Sequence, residues 1–214
     1  AGENGSEVMN IIDDIPSGDA LMQQLQKLDF ALIESQFDSL FEKQFNKMFK
    51  KKKKPKVMAI IDIHEQETYS KEKRTSPDIR GGKHKNGTNF FFKFATIQII
   101  QKEKVLTMKV KIFHRNQSLK NVVDALIKHV KKYVRIKILL LDRGFRNVDI
   151  FNELEFIQVP ILMPCVKDEK TKKEFVKAKG KFKVVKYWWR NVKGEYADFK
   201  LIMMKLDNGK EIGF

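Results

Sequence analysis

The stretch Ile138–Leu141 sets four large apolar residues in a row and then runs straight into Asp142, Arg143, Gly144 and Phe145. A short apolar run without polar alternation predicts an interior strand covered on both faces. A chain with such a strand has to build layers around a sheet. Asp142 then lies where the strand leaves the sheet, and in open α/β sheets the carboxyl ends of strands are where ligands bind. A carboxylate there can do chemistry. It can equally cap the helix suggested by "NVDIFNEL" over 147–154, and both readings stand at this point.

At 214 residues, 42% hydrophobic and 33% charged, the chain is long enough for one generous domain or a core domain with a small appendage. Its formal net charge of +16 is unevenly spread. Residues 1–45 hold nine acids and two bases, so the remaining residues carry 41 bases against 18 acids. The basic part suits a polyanion, because neutralising phosphates releases counterions and drives association whatever the base sequence. The plainer alternative is a solvated, lysine-rich surface. Cys165 is the single cysteine, which excludes an intrachain disulfide and a cysteine-based zinc site and points to a reducing compartment. With no apolar run near ~18 residues and no signal peptide at the start, the expectation is a soluble, cytoplasmic protein without a membrane partner.

Apolar spacing predicts two helices within 17–49, broken near Asp29, with Leu21, Leu25 and Leu28 on one stripe and Phe37, Leu40, Phe41 and Phe45 on another. The division expected is an N-terminal helical region over 1–50, a basic linker over 51–56 that Pro55 keeps out of helix, a core over 57–164 and a hairpin region over 165–214. "VMAIIDI" (57–63) predicts a strand with Asp62 near its carboxyl end. A polar loop over 64–88 follows and closes on an Asn-Gly turn signal. Residues 89–100 and 104–113 predict an antiparallel hairpin, 118–134 an amphipathic helix opened by Ser118, 159–164 another buried strand, and 181–206 a hairpin turning near Lys193-Gly194.

Right-handed crossovers then give a mixed sheet with helices on its faces. If the strands ending at Asp62 and Asp142 are parallel neighbours, their carboxylates fall side by side. Hard oxygen ligands so placed suit Mg²⁺ or Mn²⁺. A pair of such ions activates a nucleophile and steadies the leaving oxygen of a phosphodiester.

"AIIDIHEQETYS", "GGKHKNGTNFFFKFATIQI" and "LLLDRGFRNVDIFNELEFIQVPILMP", in this order, resemble the DDE transposases of insertion sequences, the archaeal branch in particular. The resemblance runs from about Val57 to Pro164 and implies a ribonuclease-H-like catalytic fold. Asp62 would be the first acid and Asp142 the second, with Arg143 and Gly144 in the same signature. The family's third acid is a Glu on a helix beyond the second hairpin, within a Tyr, Arg, Glu, Lys signature. Tyr187, Arg190 and Glu195 do not match it, since the Arg-to-Glu spacing is one residue too long and the pattern reads as strand and turn. "DNGKEIGF" resembles the strand before that helix, so the third acid is expected beyond Phe214 and the fragment is expected to be inactive or crippled.

The expected function is metal-dependent phosphodiester cleavage and strand transfer on double-stranded DNA, at element ends and target, by a nucleoid-associated homodimer. The alternatives are a non-catalytic DNA-binding remnant of a transposable element and a metal-dependent nuclease of the same fold. Arg143, Lys83, Lys85, Arg74 and Arg80 are the phosphate-contact candidates. His64 and Tyr69 could approach the site, although an exposed loop histidine is commoner. Trp188 and Trp189, adjacent in a strand, should face opposite sides, one to the core and one available to stack on an unpaired base.

Overall fold

The computed structural model describes residues 29–49, 53–71, 74–101, 104–166, 168–177 and 180–214. The expected helix before Asp29 and the lysines at 50–52 lie outside the described residues. Strand β1 (Lys56–Glu67) starts directly after Pro55 and alternates buried Val57, Ala59 and Ile61 with more exposed positions. It pairs antiparallel with β3 (Thr88–Gln101) on one side and parallel with β5 (Arg135–Leu141) on the other. Beyond β5 lies β6 (Ile161–Leu162), also parallel. The far edge of β3 is shared in succession by β2 (Ile79–Lys85) and β4 (Lys104–Ile112), both antiparallel to it. The result is a mixed six-stranded sheet, as the order of predicted strands and helices implied.

Helix α2 (Leu119–Lys131) carries the chain from β4 to β5, and α3 (Val148–Phe156) from β5 to β6. Ser118 Oγ accepts from the Asn121 amide (3.1 Å), closing the first turn of α2, whose Val122, Val123, Leu126, Ile127 and Val130 are buried. They meet Ala59, Ile61, Ile97, Ile99, Leu139 and Leu141 in one core, together with Ile150 and Leu154 of α3. Expected cover on both faces of β5 is not what the described residues provide. Leu139 and Leu141 are buried, whereas Ile138 and Leu140, on the other face, are only partly so. The run is continuous because the far face is half-dry rather than because it is packed.

Two further differences have local causes. The supposed loop over 64–88 contains the last four residues of β1 and all of β2. Asn86 and Gly87 both take positive φ (48° and 80°), the geometry of a two-residue hairpin turn. Gly82 is required there, since a Cβ on it would fall 2.9 Å from the ring of the fully buried Phe91. The strand expected over 159–164 shrinks to two partly exposed residues, because Pro160 offers no amide and β6 has a partner on one side only.

Helix α1 (Phe30–Met48) begins at Asp29, whose Oδ1 accepts from the Ala31 amide (2.9 Å). Phe45 is 1% exposed in the main core. One helix face carries Glu34, Asp38 and Glu42 at four-residue spacing. Glu34 accepts from the Ile112 amide on the open edge of β4, Asp38 Oδ2 lies 2.5 Å from Lys109 Nζ, and Glu42 accepts from the Tyr133 hydroxyl (3.1 Å). The helix thus blunts a strand edge that would otherwise template pairing.

The remaining sheet is an antiparallel meander of β7 (Phe182–Arg190), β8 (Tyr196–Lys205) and β9 (Glu211–Gly213). Its turn is set by Gly194 at φ 90°. Helix α4 (Glu169–Lys177), which periodicity did not predict, packs Phe175 against Tyr187, Leu201 and Met203. Ala197, Trp189 and Phe199 meet Val148 and Phe151 of α3. The joint is fastened by Arg146, which reaches Asp168 (2.8 Å) and lies 4.8 Å from the Trp189 ring centre.

Phe45→Ala should cost about 3–5 kcal/mol in urea unfolding, with α1 amides losing exchange protection first. Unchanged protection of α1 would contradict its anchoring role. Burial pushes the Asp168 carboxyl up, but the Thr171 amide, Arg146 and the Thr171 hydroxyl outweigh it and hold it at about 2. A depressed carboxyl contributes stability above its unfolded value of 3.8 and loses it as pH falls towards 2. Asp168→Asn should therefore flatten the acid side of the stability profile between those values.

Candidate metal and nucleic-acid site

The parallel ladder between β1 and β5 ends with Ile61 opposite Leu141. The next residue in the chain after each is an aspartate, so Asp62 and Asp142 follow one step past the last paired residues of two strands that generally run about 4.8 Å apart. Strand parity puts both on the half-exposed face that carries Ile60 and Leu140. Alternation of the two strands and their register therefore bring together residues 80 positions apart, away from the helices.

Each carboxylate is held by a short local contact. The Ile63 amide donates to Asp62 Oδ1 (2.9 Å), and the Gly144 amide donates to Asp142 Oδ1 (2.8 Å). That second bond makes Asp142 the cap of the 3-10 turn Arg143–Phe145. Helix α3 is capped by Asn147, whose side chain accepts from the Asp149 amide (2.8 Å), so α3 makes no demand on Asp142. Gly144 allows the approach: a Cβ there would lie 3.0 Å from Asp142 Oδ1.

His64 is a strand residue rather than a loop residue. Its Nε2 lies 3.6 Å from Asp62 Oδ2 and 3.4 Å from Thr96 Oγ1, and its ring stacks on Phe94. Thr96 is the antiparallel partner of Asp62. Among the described residues no three His, Cys, Asp or Glu side chains gather closely enough to hold a metal ion. Two carboxylates at one rim still match what Mg²⁺ asks of a protein, since that ion commonly takes one or two carboxylates and fills its shell with water and substrate phosphate.

The other candidates are dispersed. Arg143 is exposed beside Asp142. Lys83 and Lys85 sit on the β2–β3 arm. This arm and the end of β1 run on about 16 Å past Asp62, to the level of Glu67. Lys83 is exposed, and Lys85 pairs with Glu67 (3.1 Å). Tyr69 donates to the Asn86 carbonyl at the tip of the same arm, too far along the strand to line the carboxylate pair. Arg74 lies in the turn before β2, its carbonyl taken by Arg115. Arg80 is committed to the chain itself. Its guanidinium donates to the carbonyls of His114 (2.5 Å), Arg115 (3.1 Å) and Gln117 (3.0 Å) and covers the Phe113 ring at 3.9 Å, and burial lowers its pKa. With Arg115 and the His114–Asp78 pair (2.7 Å) it ties β2 to the segment after β4. Sequence reasoning missed this latch because nothing local distinguishes a buried arginine from a solvated one. Glu195 sits in the β7–β8 turn, bound to Asn191.

A cavity of about 370 Å³ lies away from the carboxylates, between β6, α4 and the meander, lined chiefly by apolar side chains such as Phe151, Leu162, Phe199 and Leu201. Among the described residues no helix is long and apolar enough to cross a membrane.

No family model matches the chain, and no curated protein matches it. Among solved structures it is similar to a piggyBac transposase synaptic complex with hairpin DNA, determined by cryo-EM, at 13% identity and a TM-score of 0.46. The match covers 74% of this chain, which spans about a third (32%) of that one. A likeness at that level decides nothing about activity, so the functional reading rests on the register of β1 and β5.

Replacing Arg80 by Gln should lower stability by about 2–3 kcal/mol, because three carbonyls lose a charged donor. It should leave the salt dependence of duplex DNA binding unchanged. The double change Lys83→Gln, Lys85→Gln should do the reverse, reducing the log–log salt slope by about 1.8 with little effect on melting. The opposite pattern would make Arg80 a phosphate contact and the lysines structural.

Proposed function

We propose that the chain is the catalytic portion of a DDE-type DNA transposase of the insertion-sequence kind, acting on double-stranded DNA as a homodimer. The observation that carries this reading is the pairing of Ile61 with Leu141, which delivers Asp62 and Asp142 to one exposed rim. The motifs around both aspartates, the ribonuclease-H-like strand order and the basic charge outside the N-terminal region support it.

Asp62 and Asp142 would hold Mg²⁺ or Mn²⁺ through their outward oxygens. When bound, such an ion stabilises charge on phosphodiester oxygens and makes a water or 3′-hydroxyl a better nucleophile. Gly144 and the β1 backbone fix the two carboxylates, so that little reorganisation is needed on binding. His64 lies beside Asp62, and Thr96 is its cross-strand partner. Arg143 would take a phosphate beside the scissile bond, and Lys83, Lys85 and Arg74 would steady the duplex along the arm that projects past the carboxylates. The N-terminal region would serve end recognition or dimerisation, 51–56 the linker, 57–164 the catalytic core, and 165–214 the hairpin region.

Calorimetric titration with Mn²⁺ tests the site. The wild-type chain should bind, and the double variant Asp62→Asn, Asp142→Asn should bind at least about tenfold more weakly, or about 1.4 kcal/mol. Equal binding by both proteins would remove the metal site and leave only a basic, DNA-associated protein.

A further inference from the structure

The meander has two unlike faces. In β7, Val185, Tyr187 and Trp189 turn inward, while Phe182, Val184, Lys186, Trp188 and Arg190 turn outward. The register sets those outward residues opposite Met204, Ile202, Lys200, Asp198 and Tyr196 of β8, in that order. Directly opposed residues share a face. Phe182, Trp188 and Tyr196 are 60%, 52% and 63% exposed, so three aromatic rings stand in water on one side of a small sheet.

The charges on that face are as uneconomical as the rings. Lys186 lies directly opposite Lys200, an arrangement that destabilises an antiparallel pair, and neither has an ion-pair partner among the described residues. Arg190 adds a third cation. Lys170 of α4 adds a fourth: its Nζ lies 3.6 Å from the Trp188 ring centre and donates to the Trp188 carbonyl (3.1 Å). Asp198, opposite Trp188, is the one carboxylate among the outward residues of the β7–β8 ladder. Exposed rings and opposed ammonium groups are both relieved by a ligand that is planar and anionic at once. Unpaired nucleotides are such a ligand, since each base has a stacking face and each linkage a phosphate. A duplex satisfies the charges but hides its base faces. Trp188 and Tyr196 are diagonal neighbours, about 7–8 Å apart, a spacing that can serve successive unstacked bases.

We propose that the outward face of β7 and β8 binds unpaired stretches of nucleic acid, with bases stacked on Trp188 and Tyr196 and phosphates held by Lys186, Lys200 and Arg190. This site goes beyond the carboxylate pair and needs neither aspartate nor a metal ion.

Fluorescence anisotropy with a labelled oligothymidylate of about 15 nucleotides, its abasic counterpart and a duplex of equal length, all in chelator, tests it. Trp188→Ala should weaken oligothymidylate binding about tenfold and duplex binding less than about twofold, and Trp188→Phe should recover most of the loss. The wild-type protein should bind the abasic strand about tenfold more weakly than oligothymidylate, a comparison that needs no variant to fold. Lys186→Gln with Lys200→Gln should reduce the single-strand salt slope by about 1.4. The variant lacking both aspartates should bind as wild type does, which separates failure here from failure of the metal site. Equal binding of abasic and normal strands, or equal losses on strand and duplex, would overturn the proposal. So would a Trp188→Ala protein that changes from dimer to monomer while binding oligonucleotides unchanged.

Discussion

The parallel pairing of β1 with β5 is the interaction on which the rest depends. It is a backbone ladder whose side chains on one face, Ala59, Ile61, Leu139 and Leu141, are buried under the helices. Because side chains repeat every two residues, a slip of one would turn that apolar set towards water and bury the aspartates. Burial of the core face therefore also fixes where Asp62 and Asp142 emerge. The same residues that stabilise the sheet determine the geometry of its rim, and no separate local motif is needed to bring the two acids together.

Charge is arranged with comparable economy. The acidic residues of α1 face the lysines of the outermost strand, with Asp38 against Lys109 and Glu34 near Lys111. They cover an edge and neutralise the lysines that line it. Elsewhere the cations divide into those the chain consumes and those it leaves exposed. Arg80 and Arg146 hold segments together, while Lys83, Lys186 and Lys200 stay in water. A net charge alone cannot make that distinction, because it depends on which carbonyls and carboxylates lie within reach.

The legible part of the fold followed from strong local signals. Helix α2 has its cap at Ser118 and a five-residue apolar face, and β5 ends where the apolar run ends. The Trp188–Trp189 alternation also came out as strand parity requires, with Trp189 against Phe151 and Trp188 in solvent. Strand β2 was hidden because "IRGGKHK" has loop composition; it pairs through its backbone and needs glycine to make room for Phe91. Helix α4 was hidden because it buries only Thr171 and Phe175, too few positions to set a period. At the site, the two aspartates could be placed from strand order alone. His64 was a candidate neighbour of Asp62 from its spacing, but its place in a strand depends on β1 running on to Glu67, past the residue 63 at which the apolar pattern ends.

The convergence of Asp62 and Asp142 is tested most directly by diffraction from crystals soaked in Mn²⁺, with data collected at the manganese absorption edge. A single anomalous peak bridging oxygens of both side chains, or a close pair of peaks sharing them, is the predicted result. A peak on only one of the two, or manganese bound elsewhere while both carboxylates stay bare, would contradict it.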